Sequence, residues 1–113
     1  MRVEFLYWEE CPSHEEALAR LQAVLQEEGI AAHVEVIRVE TEEQAEKLRF
    51  PGSPTIRFDG KDIAPVLEGT RFSLTCRVYH LEDGRVSPLP SKEMIRRALK
   101  GSLATKTHER RSG

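Results

Sequence analysis

The chain has 113 residues, 39% hydrophobic and 32% charged, and a formal net charge of -2 at pH 7. This length suits one domain with a single core, and the near balance of charge gives no basic surface for nucleic acid or for a membrane. The first residues lack the apolar segment of a signal peptide, and no apolar run approaches the ~20 residues of a membrane span, so we expect a cytoplasmic protein.

Two patterns near the N-terminus predict a strand followed by a helix. Residues 3–8 are mostly apolar, as in a central strand that is covered on both faces. Residues 12–28 repeat apolar side chains every three or four positions and predict an amphipathic helix that ends at Gly29. Pro12 suits the first helical position, which places Cys11 near the N-cap.

The next segments predict a second strand and a short helix. Residues 32–39 alternate apolar and polar side chains, as a half-buried strand does. Thr41 and Gln44 form a capping-box signature, which opens a helix that extends to about residue 49. The order strand, helix, strand implies a parallel, right-handed β-α-β unit.

The second half of the chain predicts two more strands of the same sheet and a last helix. Residues 55–58 form the third predicted strand and residues 76–81 the fourth, and Ser91 caps the helix that follows. We predict one α/β domain over residues 1–100, with a four-stranded mixed sheet flanked by helices in the order β-α-β-α-β-β-α. Residues 101–113 are polar and predict a flexible tail.

Three short motifs carry a resemblance to a known family. They are Trp8-Glu9-Glu10-Cys11-Pro12, Gly52-Ser53-Pro54-Thr55 and Cys76-Arg77-Val78-Tyr79. With the element order, they resemble the thioredoxin-like superfamily, and more narrowly the small bacterial thioredoxin-fold proteins described as alkylmercury-lyase-like or left without a function. The resemblance implies a thioredoxin-like fold in which Cys11 is the attacking cysteine and Pro54 is a cis proline that faces it.

His14 is the departure from the family pattern. The superfamily motif has a second cysteine three residues after the first, and His14 holds that position here. The ordinary dithiol cycle is therefore in doubt. His14 is instead a candidate catalytic residue, as a proton donor or as a partner of Cys11, because residues three apart on a helix are neighbours. The alternative is a solvated histidine in the first helical turn.

Cys11 is the predicted reactive thiol. The free N–H groups at a helix start favour its thiolate. Four nearby carboxylates oppose ionisation, although each has little effect if exposed and screened; they are Glu9, Glu10, Glu15 and Glu16. We expect a moderately lowered pKa. The alternative is a half-buried cysteine without chemistry.

Trp8, Ser53 and Pro54 are the candidate substrate-binding residues. Trp8, with Tyr7, would form an apolar wall at the end of the first strand, although aromatic residues there are more often core. By the resemblance, Ser53 precedes the cis proline and offers backbone hydrogen bonds to a bound peptide or to glutathione. The alternative is that Pro54 only shapes the loop.

Cys76 is a candidate resolving thiol. A reversible disulfide with Cys11 requires Cα atoms within ~7 Å. At the start of a strand parallel to the first, Cys76 would instead lie ~20 Å away, at the other end of the sheet. We therefore expect Cys76 to be an inert core thiol. Only a return of residues 70–76 over the active-site edge would allow the bond.

No metal site is predicted. Cys11, His14, Cys76 and His80 offer the sulfur and nitrogen ligands that zinc prefers, but Cys76 and His80 on one strand would be ~13 Å apart. The sequence argues less strongly against a soft ion such as Hg(II) or Cu(I), which Cys11 would hold alone or together with Cys76. Organomercurial cleavage also needs a placed acid to protonate carbon, and the sequence assures none.

The leading functional hypothesis is thiol–disulfide exchange by a single thiol. Cys11 would attack a disulfide or persulfide, or take up glutathione, through a mixed disulfide that a small thiol then resolves. We expect no cofactor, apart from glutathione as a co-substrate. The expected partner is a small thiol or a protein disulfide, and the protein is a monomer or a homodimer. The rival hypothesis is a non-enzymatic binding or sensing module for a soft metal or a protein partner.

Overall fold

The computed structural model describes residues 1–112, with side chains through residue 104. This part of the chain forms a four-stranded sheet, a two-stranded sheet and three helices. The elements are β1 (Val3–Tyr7), α1 (His14–Glu27), β2 (Val34–Arg38), α2 (Glu42–Lys47), β3 (Thr55–Phe58), β4 (Lys61–Asp62), β5 (Tyr79–His80), β6 (Val86–Ser87) and α3 (Lys92–Ser112). None of the described helices is sufficiently long and apolar to cross a membrane.

The larger sheet is mixed, as predicted, with the strand order β2-β1-β3-β4. β1 pairs in parallel with β2, which confirms the parallel unit, and antiparallel with β3. β4 returns along β3 after a turn at Asp59 and Gly60, which both have positive φ. β1 therefore lies between two other strands, which is why its sequence is apolar on both faces.

Side chains on the two faces of β1 belong to separate core clusters. Phe5 packs on one face with apolar residues of α1 and α3, among them Leu21 and Leu99. Leu6 packs on the other face with Phe50 and with residues around α2. Successive residues of a strand point to opposite faces, so β1 stabilises both clusters. Burial of each such side chain contributes about 1.5–3 kcal/mol.

The first helix begins later than predicted. α1 starts at His14 with Ser13 as its N-cap residue, so neither Cys11 nor Pro12 belongs to the helix. The N–H of Cys11 instead donates to the carbonyl of Trp8 at 3.0 Å and closes a turn after β1. Residues that precede a proline are biased away from the helical conformation, which keeps Cys11 outside the helix.

The second helix has the predicted cap. The Thr41 hydroxyl accepts a hydrogen bond from the N–H of Gln44 at 3.0 Å. The Gln44 side chain accepts from the N–H of Glu40 at 2.8 Å, one residue earlier than a standard capping box requires. The signature therefore located the start of α2 correctly.

The predicted fourth strand is wrong. Residues 76–81 do not join the large sheet, whose edge next to β3 is taken by β4. Tyr79 and His80 form β5, which pairs only with β6 in the small sheet. A tight turn after β3 makes a hairpin with β4, because adjacent antiparallel strands need only a short connection. Because β4 occupies the sheet edge beside β3, residues 76–81 do not pair there.

The last helix continues beyond the point where we expected a tail. α3 runs to Ser112, past Gly101. Leu103 packs against the larger core cluster, and the Ser102 hydroxyl donates to the carbonyl of Phe58 at 3.5 Å. Gly113, the end of the predicted tail, lies outside the described residues.

Candidate functional site

Cys11 lies beneath the surface at the end of the sheet where β1 stops. The residue is only 1% exposed. The sulfur lies 3.6 Å from the Ser13 hydroxyl and, as a thiol, donates to the carbonyl of Ser53 at 3.6 Å. The residue at the helix start and the loop before β3 therefore both contact the thiol.

The loop before β3 is fixed around Ser53. The Ser53–Pro54 peptide bond is cis, as expected for Pro54, and Ser53 is fully buried. The Ser53 hydroxyl accepts a hydrogen bond from the backbone N–H of Trp8 at 3.0 Å. Thr55 closes the loop from the other side, since its hydroxyl donates to the carbonyl of Gly52 at 2.6 Å. These bonds attach the loop to the end of β1, next to Cys11.

Residues 75–77 run alongside this loop. The N–H of Ser53 donates to the carbonyl of Thr75, and the N–H of Arg77 donates to the carbonyl of Ser53, both at 2.8 Å. Ser53 and Cys76 thus form an isolated parallel bridge. The approach is so close that a Cβ on Gly52 would lie 2.9 Å from the Cβ of Arg77.

Two side chains anchor the same segment. Arg77 pairs with Asp62 at 2.8 Å, and their side chains are only 9% and 10% exposed. The Arg77 guanidinium also donates to the Thr55 hydroxyl at 3.2 Å and lies over the ring of Tyr79. The buried Tyr79 hydroxyl donates to the carbonyl of Pro54 at 2.6 Å. The segment that carries Cys76 is therefore held from both sides.

Cys76 meets Cys11 at this point, contrary to the prediction. Cys76 is exposed, not a core thiol, and it bridges to Ser53, whose carbonyl also accepts from the Cys11 thiol. The two thiols therefore lie close enough to shift each other's pKa. The predicted separation of ~20 Å assumed that Cys76 opens a strand of the main sheet. The segment instead passes along the edge of the loop before β3, the one path that we expected to permit contact. Both cysteines are free thiols here.

The two thiols differ in acidity. Burial on its own would raise the pKa of Cys11, but hydrogen bonds from Cys76, from the hydroxyl and N–H of Ser13, and from Ser53 outweigh burial and hold this pKa below its ordinary value. The hydrogen bond to Cys11, together with burial and the charge on Cys11, raises the pKa of Cys76 to about 11. The inner sulfur is therefore the more acidic of the two, and the outer sulfur is the one that loses its proton last.

The other predicted residues are placed as follows. The ring of His14 stacks on Tyr7, with 4.6 Å between ring centroids, and in the described part of the chain no hydrogen bond joins His14 to Cys11. Trp8 is half-buried against the core cluster around Leu6. Its contacts with the site are made by its backbone: the N–H donates to the Ser53 hydroxyl, and the carbonyl accepts the N–H of Cys11. Roles for His14 in proton transfer and for the Trp8 ring in substrate binding stay predictions.

The anchors of Cys76 are the residues that the sequence analysis missed. In the sequence, Arg77 and Tyr79 stand out only as members of the motif Cys76-Arg77-Val78-Tyr79, and nothing marks Asp62. Their pairing joins segments that are far apart in the chain, which no local periodicity indicates. One available signal was Gly52, since a glycine two residues before a predicted cis proline suits a close backbone approach.

Possible metal ligands are sparse at this site. Among the described residues, no group of three or more His, Cys, Asp or Glu side chains is arranged to hold an ion. His80 lies in β5, and the two sulfurs of Cys11 and Cys76 are the donors that lie together. Two thiolates suit a soft ion with two ligands, such as Cu(I) or Hg(II), better than they suit zinc, which takes four.

The fold and the site define a mixed α/β protein whose two cysteines meet beside a cis-proline loop at one end of the sheet. Comparison of the chain with protein-family models, with curated proteins and with solved structures found no match. The chemistry of the site therefore has to follow from these residues themselves.

The unequal acidity of the thiols predicts a two-step titration. The ultraviolet absorbance of thiolate is expected to rise first below the ordinary thiol pKa, from Cys11, and again near pH 11, from Cys76. Cys76→Ala should raise the pKa of Cys11, because a donor is lost, whereas Cys76→Ser retains a donor and should largely preserve the lowered pKa.

The lowered pKa of Cys11 sets the sign of that residue's own contribution to the pH dependence of stability. Because the fold lowers the pKa of Cys11, its ionisation stabilises the folded state above the ordinary thiol pKa, and this contribution is lost as the pH falls through the lowered pKa. In the thiolate titration described above, a Cys11 pKa that is the same in wild type, Cys76→Ala and Cys76→Ser would contradict the proposed hydrogen bond between the thiols.

Proposed function

We propose that this chain is a thioredoxin-like protein that performs thiol–disulfide exchange with Cys11 and Cys76 as its redox pair. The observation that carries the proposal is that two free cysteines come together at Ser53: the Cys11 thiol donates to its carbonyl, and Cys76 bridges to its backbone. The fold is supported by the parallel β1-α1-β2 unit, the antiparallel β3-β4 hairpin and the cis peptide bond before Pro54. Cys76 takes the place of the second cysteine that His14 replaces in the motif.

The chemistry is a reversible two-electron step. In the oxidising direction the sulfurs of Cys11 and Cys76 join, a small disulfide RSSR is cleaved, and two RSH molecules leave with the two thiol protons. The reverse step restores both protein thiols. Glutathione and its disulfide have the required chemistry as co-substrates. Ser13 and Ser53 would hold the Cys11 thiolate by the hydrogen bonds that lower its pKa.

A second candidate function is non-enzymatic binding of a soft metal ion. The adjacency of the two sulfurs favours it, because Cu(I) and Hg(II) bind well to paired thiolates. The same two residues would be required, so variants alone do not separate the candidates. Turnover separates them: a binding module holds one ion and exchanges no electrons with disulfides.

A redox titration tests the proposed function. In buffers of reduced and oxidised glutathione, wild-type protein is expected to lose both free thiols together, with a mass decrease of two hydrogen atoms. Cys11→Ser and Cys76→Ser should each abolish this change. Wild type should also catalyse reduction of hydroxyethyl disulfide by glutathione. The absence of an intramolecular disulfide at every ratio, with tight binding of one Cu(I) by the reduced protein, would favour the metal-binding candidate.

A further inference from the structure

The backbone of Ser53 is already paired with the chain's own residues. Its N–H binds the carbonyl of Thr75, and its carbonyl accepts the N–H of Arg77, each at 2.8 Å. An extended peptide that adds to such an edge needs these same two groups for its main-chain hydrogen bonds. Residues 75–77 therefore occupy the place that an extended peptide would take.

This segment is not easily displaced. To move it, the buried ion pair between Arg77 and Asp62 and the buried hydrogen bond from Tyr79 to Pro54 must both be broken. Leaving a buried charge without its partner costs several kcal/mol. Gly52 lies directly against Arg77, so closely that a Cβ on Gly52 would be 2.9 Å from the Arg77 Cβ. The edge at Ser53 is therefore closed to a protein substrate.

Access from solvent differs sharply between the two sulfurs. Cys76 is exposed, whereas Cys11 is 1% exposed and is surrounded by Ser13, Ser53 and Cys76 itself. Once the disulfide has formed, the outer sulfur is the one that a molecule from solvent meets. A compact thiol can approach Cys76 without contacting the closed edge at Ser53.

The inner sulfur is the better leaving group. Thiol–disulfide exchange is faster when the departing thiol has a lower pKa, and the pKa of Cys11 is held below its ordinary value while that of Cys76 is raised to about 11. The donors around Cys11 would receive its negative charge as the disulfide opens. Attack at Cys76 with departure of Cys11 is thus favoured by access and by acidity.

We propose, resting on the exchange function above, that the substrates are low-molecular-weight thiols and disulfides and that the mixed disulfide forms on Cys76, with Cys11 as the buried leaving and resolving thiol. An incoming RS⁻ bonds to the Cys76 sulfur, the Cys11–Cys76 bond breaks, and Cys11 leaves as thiolate. A second RS⁻ attacks the substrate sulfur, releases RSSR and leaves Cys76 to take up a proton. Two substrate thiols are oxidised and one protein disulfide is reduced. In reverse, RSSR reoxidises the protein.

The position of the mixed disulfide is the first test. Oxidised wild-type protein is treated with a limited amount of β-mercaptoethanol, quenched in acid, alkylated with N-ethylmaleimide and mapped by peptide mass. We expect the β-mercaptoethanol adduct on Cys76 and the maleimide on Cys11, with about a tenfold preference or more. An adduct mainly on Cys11 would overturn the assignment. If instead no Cys11–Cys76 disulfide can be formed, the proposed function itself fails, which is a different result.

Substrate size is the second test. Reduced wild-type protein is offered hydroxyethyl disulfide or insulin, whose disulfides are presented by a polypeptide. Each rate is divided by the rate at which free dithiothreitol reduces the same substrate. After this correction, hydroxyethyl disulfide is expected to react about tenfold faster than insulin, or more. Equal relative rates would contradict the restriction to small substrates. Among single-cysteine variants, Cys11→Ser should form the hydroxyethyl adduct faster than Cys76→Ser, and the opposite order would refute Cys76 as the entry thiol.

Discussion

Replacement of Asp62 by alanine is expected to lower the free energy of unfolding by about 3–5 kcal/mol. The carboxylate is 10% exposed, and it pairs at 2.8 Å with Arg77, whose side chain is 9% exposed. Without Asp62, the guanidinium would remain enclosed without a counter-charge. Asp62 also accepts the N–H of Ala64 at 3.0 Å, so the turn after β4 would lose a bond as well. Urea denaturation followed by circular dichroism measures the change.

Two further variants separate the ion pair from other effects. Asp62→Asn keeps an acceptor for Ala64 but removes the charge, and we expect an intermediate loss of stability. Glu43→Ala breaks an ion pair with Lys47 in which the Glu43 side chain is 82% exposed and the Lys47 side chain 76%. This change should leave the free energy of unfolding nearly unchanged, because solvent screens such exposed pairs. Equal stability of Asp62→Ala and wild type would mean that water readily reaches Arg77 and that the anchor of Cys76 is weak.

Gly52→Ala is expected to lower the free energy of unfolding by about 2–5 kcal/mol, from backbone strain and overpacking together. Gly52 has φ of +142°, and a Cβ there would lie 2.9 Å from the Cβ of Arg77 and 3.2 Å from its backbone N. The neighbours are backbone or near-backbone atoms, which cannot rotate away. Relief of the clash requires residues 75–77 to move off Ser53, which would also separate Cys76 from Cys11.

Gly84→Ala is the matched control for this prediction. Gly84 also has a positive φ, +87°, but no atom of the described residues lies within 4 Å of the position that a Cβ would take. Its replacement should therefore cost only the backbone strain, about 1–2 kcal/mol. The thiolate titration distinguishes the variants: the pKa of Cys11 should rise in Gly52→Ala and stay as in wild type in Gly84→Ala. An unchanged Cys11 pKa in Gly52→Ala would show that the contact with Arg77 does not position Cys76.

The regular elements of the first half of the chain could be predicted because their signals are local. The apolar run of β1, the helical spacing of α1 and the cap formed by Thr41 and Gln44 each depend on residues close in sequence. The third strand was predicted with the bounds that β3 has, Thr55–Phe58. The α1 start was placed too early because Pro12 suits a first helical turn but also disfavours helix at the residue before it.

The second half of the chain was predicted less well because its course depends on distant partners. The strand predicted over residues 76–81 is compatible with any pairing partner, and its local sequence holds no information about which sheet edge is free. β4 takes the edge beside β3, so residues 75–77 pair with Ser53 instead. The placement of Cys76 follows from that competition for backbone hydrogen bonds.

The sequence by itself determined that Cys11 follows a central strand and precedes a helix, that Pro54 immediately precedes β3, and that a parallel strand–helix–strand unit comes first. Local propensity and hydrophobic period suffice for these features. Only the tertiary structure decided that Cys76 lies against Cys11. The segment that carries Cys76 lies where Arg77 pairs with the buried Asp62 and where Gly52, which has no Cβ, lets the two backbones approach closely. Such long-range contacts are selected by the free energy of the whole packed chain, which no short window of sequence contains.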